Sequence, residues 1–158
     1  MKKAACVMAL VWAGCLLCTA APFKTISSKE AFGIVRQPDT FLIDVRSVTE
    51  YVFAGHPEMA YNIPLTFCNE AQAKMEGNLE FAQDLLRRFQ KSDRLIFRCL
   101  SGGRSDKAAR TARKAGFLEM FNGDKRFEGD INSRGYRTVD GWKSNGLPCT
   151  YALNRELT

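Results

Sequence analysis

The stretch Arg98-Cys99-Leu100-Ser101-Gly102-Gly103-Arg104-Ser105 gathers residue types that can do nucleophilic chemistry. A cysteine thiolate is a good nucleophile, and its environment decides how much of it forms. Apolar residues precede Cys99 in a strand-like run, and a helical pattern starts at Ser105. A cysteine at such a junction meets the unpaired N–H groups and the positive end of the helix dipole, which favour the anion. Gly102 and Gly103 let the backbone curl so that successive N–H groups turn inward, a nest for a thiolate, a persulfide or an oxyanion. Arg104 could add a forked donor for sulfonate-like oxygens, and Ser105 could cap the helix or donate into the loop. The same residues also fit a buried cysteine followed by a plain Gly-Gly turn. Taken alone, the loop leaves both readings open.

The surrounding elements must present that loop. Ser27 and Glu30 have capping-box spacing, so a helix is expected over 27–35, with Pro38 beyond its end. Strands are expected over 41–44, 60–65, 94–98 and 117–121. A helix is expected over 69–90, interrupted near Gly77-Asn78, with Leu79, Ala82, Leu85, Leu86 and Phe89 as its apolar face. Another is expected over 105–115, closed by Gly116. Strands alternating with helices predict a parallel sheet covered on both faces, and ligands of such sheets bind at the carboxyl ends of strands. Residues 99–105 lie at one of those ends.

The 158 residues suit one domain with its own core, expected over 23–158. Net charge is +6, and the Lys and Arg residues are dispersed, which argues against a nucleic-acid partner. Residues 1–20 read as a secretory signal: Lys2-Lys3, an apolar run from Ala4 to Leu17, then small residues up to Ala20. That run is short for a membrane span of about 20 residues, so no stable membrane insertion is expected after cleavage. Export points to the bacterial periplasm. An uncleaved anchor, or a lipoprotein signal ending at Cys15, are the alternatives. Cleavage leaves Cys68, Cys99 and Cys149, an odd count. A Cys68–Cys149 disulfide is one option, and two small buried apolar residues is the preferred one.

The loop and its upstream companions together resemble the rhodanese family of sulfurtransferases. Asp44 and Arg46 match the family's Asp-x-Arg at a strand end. Glu50-Tyr51, Gly55-His56 and Asn62-Ile63-Pro64 match the elements that follow. Cys99, Gly102, Arg104 and Ser105 match the active loop, and Trp142 with Gly146-Leu147-Pro148 match the close. The resemblance covers about residues 25–150. It implies a central parallel five-stranded sheet with helices on both faces, and sulfur carried as a Cys99 persulfide. Leu100, Ser101, Gly102, Gly103, Arg104 and Ser105 are then the substrate-binding loop. Asp44, Arg46 and Glu50 organise the loops around it through charge-assisted hydrogen bonds, and Glu50 could pair with Arg46 four residues before it. His56, the only histidine, takes a structural place in a Gly-His turn. The implied substrates are a small sulfur donor such as thiosulfate and a cyanide or thiol acceptor, with a protein donor or acceptor also compatible. No metal or organic cofactor is implied.

Four residues separate Cys99 from Arg104. Related phosphatases of this fold use a loop one residue longer, so the spacing favours sulfur over a phosphoryl group. A persulfide carrier or docking module is the alternative, and a phosphatase or arsenate reductase is disfavoured. Two features depart from the family pattern. Arg98 and Leu100 flank the cysteine where an aromatic or histidine and a polar or basic residue are usual. The segment 122–141 is longer than the usual link, and its Asp130-x-Asn132 start fails as a calcium loop because Arg134 and Gly141 stand where oxygen ligands belong. That segment is expected to be an ordered loop at the domain edge or a lid for a sulfur-donating partner.

Overall fold

The computed structural model describes residues 23–69, 71, 74–123 and 127–158; the proposed signal over 1–20 lies outside them. The chain runs β1 (Lys24–Ile26), α1 (Ser28–Ile34), β2 (Thr40–Asp44), α2 (Val48–Ala54), β3 (His56–Pro57), β4 (Ala60–Asn62), β5 (Thr66–Asn69) and β6 (Lys74–Gly77). It continues with α3 (Phe81–Arg88), β7 (Arg94–Arg98), α4 (Gly103–Lys114), β8 (Glu119–Gly123), β9 (Asp130–Ile131), β10 (Arg137–Val139) and β11 (Cys149–Thr150). Five strands form a parallel sheet in the order β1-β8-β7-β2-β4.

Alternation along the central strands splits the core into two layers, because successive strand side chains point to opposite faces. Leu95, Phe97 and Ile43 enter the layer built with Phe81 and Leu85 of α3 and Ala108, Ala109 and Ala112 of α4. Ile96 and Leu42 enter the other, with Ala31 of α1, Tyr51 of α2, Phe127 and Trp142. Each large apolar side chain so buried contributes about 1.5–3 kcal/mol. Trp142 meets Phe32 edge-on at 5.7 Å, and its indole N–H donates to Pro148 O at 2.8 Å, which ties the Gly-Leu-Pro segment to the sheet.

Local sequence explains most boundaries. Ser27 and Glu30 form the expected capping box on α1. Ser47 and Glu50 form a second one on α2, a helix the sequence reading passed over although the same Ser-x-x-Glu signature stands there. The helix expected over 69–90 is corrected. Thr66–Asn69 and Lys74–Gly77 pair as the antiparallel strands β5 and β6, and among the described residues of 69–90 only Phe81–Arg88 form an α-helix. The apolar stripe belonged to residues beyond Gly77, and the segment before it has no buried helical face. Phe81, Leu85 and Phe89 are the buried stripe, whereas Leu79 precedes the helix at 95% exposure and Leu86 is also exposed. The last central strand sits two residues later than expected, at Glu119–Gly123. The short β1 at the sheet edge was not foreseen as a strand. No helix among the described residues is long and apolar enough to cross a membrane.

Candidate active site

β7 ends at Arg98 and α4 starts at Gly103, so Cys99 leaves the carboxyl edge of the sheet directly into a helix N-terminus. The thiol is buried, with Cys99 2% exposed. The Gly102 N–H donates to Cys99 Sγ at 3.1 Å, and Ser105 Oγ lies 3.5 Å from the same sulfur. Gly102 adopts φ +90°, a left-handed conformation that a side chain would strain, and this turns its N–H back onto the sulfur. Ser105 Oγ donates to Gly102 O at 2.9 Å and locks the curl. The expected loop therefore closes around Cys99. Ser101 and Gly103 are exposed, and Leu100 is half-buried beside a cavity of about 350 Å3.

The charged residues pair differently from expectation. Glu50 does not pair with Arg46. Arg46 turns back to Asp44, with Nε 2.9 Å from Oδ1 and Nη2 2.7 Å from Oδ2, and Nη2 also donates to Gly55 O at 2.8 Å. Both partners are buried, Arg46 at 1% and Asp44 at 0% exposure. Burial alone would lower the Arg46 pKa; the adjacent Asp44 charge and hydrogen bonds outweigh it and hold the guanidinium above its ordinary value. Asn62 donates to the carbonyls of Asp44 and Arg46, fixing the neighbouring turn.

Glu50 instead takes Arg104 in a fork, Oε2 at 2.6 Å from Nη1 and Oε1 at 2.7 Å from Nη2. The Arg104 hydrogen bonds, aided by the Ser47 cap, hold the Glu50 carboxyl down at about 2 against burial. This alters the role expected for Arg104. Its two terminal nitrogens clamp the loop to α2 rather than standing ready for a sulfonate.

Arg98 points into the sheet's flank. It is fully buried, its guanidinium 5.4 Å from the centre of the Phe127 ring and 5.1 Å from that of Trp142. Its Nε and Nη2 have no hydrogen-bond partner among the described residues. Burial pushes its pKa down to about 10, with the Asp44 charge opposing. Arg46 reaches the same Phe127 ring at 5.0 Å. Phe127 was missed by sequence reasoning; its place inside an otherwise polar stretch was the available signal.

His56 stacks on Tyr51 at 3.4 Å and bonds Tyr51 O through Nδ1 at 2.9 Å, so its contacts lie in the core. The three described cysteines are free. Cys68 is exposed on β5 and Cys149 half-buried on β11, so the two form neither a disulfide nor a pair of buried apolar residues. The long segment after β8 becomes the β9–β10 hairpin. Asn132 Oδ1 accepts from the N–H groups of Arg134 and Tyr136, so that oxygen serves the turn. At its base the backbone at Glu128-Gly129 crosses so close to Gly141 that any side chain at 141 would strike it.

The rhodanese-like domain family profile matches residues 28–129, well over half the chain. The chain belongs to that family. Its fold is the rhodanese-like parallel sheet with Cys99 at the strand-to-helix turn. It is 36% identical over 106 residues to chloroplastic thiosulfate sulfurtransferase 16 of Arabidopsis thaliana, across 67% of this chain and 76% of that protein. It is also 36% identical over 96 residues to thiosulfate sulfurtransferase/rhodanese-like domain-containing protein 3 of Mus musculus, across 60% of this chain. The rhodanese chain spans only 59% of that mouse relative's length. Among solved structures it is similar to Rv0390 from M. tuberculosis, with a TM-score of 0.70 and 28% identity, across 82% of this chain and 98% of that one.

Proposed function

We propose that this rhodanese is a sulfurtransferase that carries sulfane sulfur on Cys99. The observation that carries the reading is the Gly102 N–H aimed at Cys99 Sγ within a loop of four residues between Cys99 and Arg104. The relatives named thiosulfate sulfurtransferases support it. The Cys99 thiolate attacks the outer sulfur of a donor such as thiosulfate. A new S–S bond forms, the donor's S–S bond breaks with its electron pair, and sulfite leaves. The persulfide rests in the loop, where the Gly102 N–H can donate to it. Cyanide or a thiolate then takes the outer sulfur, giving thiocyanate or a new persulfide and regenerating the Cys99 thiolate. Leu100, Ser101, Gly102, Gly103 and Ser105 form the substrate-facing loop, Arg104 clamps it to α2 through Glu50, and Asp44 and Arg46 hold its surroundings. The N-terminal sequence supports action in the periplasm.

The test is intact mass of the mature protein after incubation with thiosulfate or a polysulfide. A gain of one sulfur, discharged by cyanide and absent in Cys99→Ser, is expected. Hydrolysis of an aryl phosphate with no sulfur gain from any donor would overturn the reading. Loading with cyanide discharge but no turnover would leave a carrier rather than an enzyme.

A further inference from the structure

The cavity of about 350 Å3 beside the active loop is large enough for a small organic ligand, since such sites occupy roughly 300–1,000 Å3. Leu100, the residue after Cys99, forms part of its wall, together with Phe53, Ala54 and Tyr151. Phe53, 87% exposed, places an apolar ring at its rim. Two of the four charged side chains bordering the cavity are already committed. Arg46 is neutralised by Asp44, and Glu50 by Arg104. The charges left to meet a ligand are Glu128 and Lys143.

These two are neighbours by construction. The Lys143 N–H donates to Phe127 O at 2.9 Å, which brings Glu128 alongside Lys143. Yet the two side chains make no direct ion pair. Lys143 Nζ donates instead to the Tyr151 hydroxyl at 2.7 Å, which fixes the ammonium at the cavity wall. That hydrogen bond, with the Glu128 charge helping, raises the Lys143 pKa and keeps it cationic. The site thus offers one fixed cation, one nearby anion and an apolar floor ending at the cysteine loop. A purely anionic molecule would gain at Lys143 and lose at Glu128. A molecule with both charges at one end and an apolar or sulfur-bearing arm at the other satisfies all three features.

We infer that this cavity binds the α-amino-acid head of a small thiol, its carboxylate on Lys143 and its ammonium on Glu128, with the thiol arm laid over Leu100 toward Cys99. This rests on the sulfur-transfer reading and names the acceptor class for that site. A free amino acid and a γ-glutamyl peptide both carry this head, and the measurement separates them.

The experiment is calorimetric or NMR titration of the mature protein with unreactive S-methyl probes, so binding is read without any sulfur transfer. S-methylcysteine and S-methylglutathione supply the head in its free and peptide forms. The anion 3-(methylthio)propanoate and the cation 3-(methylthio)propylamine each supply one charge. At least one head-bearing probe should bind about tenfold more tightly than either single-charge probe, and whichever binds more tightly identifies the source. Lys143→Gln, at an exposed residue, and Glu128→Gln, at a half-buried one, should each erase most of that preference. Equal binding of all four probes, no binding of the head-bearing probes, or a preference unchanged in both variants would overturn the inference. Sulfur loading of Cys99, followed by mass, reports separately on the reading beneath it.

Discussion

Glu50→Gln isolates the charge in the Glu50–Arg104 clamp, because glutamine keeps the size of the side chain and still suits the third helical position of the Ser47 capping box. The magnitude follows from the carboxyl's displacement. A fall from the ordinary 4.5 to about 2 corresponds to about 3 kcal/mol if the folded state alone feels it. The side chains are 32% and 24% exposed, so solvent screens the pair and about 1–2 kcal/mol is the reasonable share. The sign is fixed by the direction. A carboxyl depressed on folding contributes stability that is whole above about pH 4.5 and drains away as pH falls toward about 2. Urea unfolding of the parent and the variant across that range is the assay. The variant should be less stable by about 1–2 kcal/mol at neutral pH, and the gap should close as the parent's own carboxyl protonates. Equal stability at neutral pH, or a gap undiminished at about pH 2, would refute the reasoning.

Two further substitutions test the buried charges by unfolding in urea. Asp44→Asn strands the buried Arg46 guanidinium and should cost about 3–5 kcal/mol; a loss below about 1 kcal/mol would show that the ring of Phe127 and Gly55 O suffice. Arg98→Met removes a desolvated cation with two unpartnered nitrogens and leaves an apolar chain between Phe127 and Trp142, so the variant should be at least as stable as the parent. A loss above about 2 kcal/mol would mean the two ring contacts outweigh desolvation.

The parallel sheet was legible because its strands are short apolar runs bounded by clear stops, as at 41–44 and 94–98. What misled was periodicity taken across a boundary. The apolar spacing after Gly77 was real, and extending it back over 69–76 overran β6 and its pairing with β5. β1 escaped notice because its three residues acquire strand identity only by pairing with Phe121, Asn122 and Gly123. Such pairing is a tertiary fact that no local pattern encodes.

The site shows the same division between local and distant causes. Cys99, Gly102 and Ser105 lie within one turn of chain, so their contacts could be read from the loop itself. The ion pairs could not. Spacing of four suggested Arg46 with Glu50, but that rule needs both residues on the helix. Arg46 precedes the Ser47 cap and lies outside α2, so its side chain can turn back to Asp44. Glu50, freed from Arg46 and drawn toward Ser47, is left facing a residue 54 positions on. One helix cap therefore settles two ion pairs. It also decides that Arg104 secures the cysteine loop to α2, and that the charges open to a ligand beside Leu100 are those of Glu128 and Lys143.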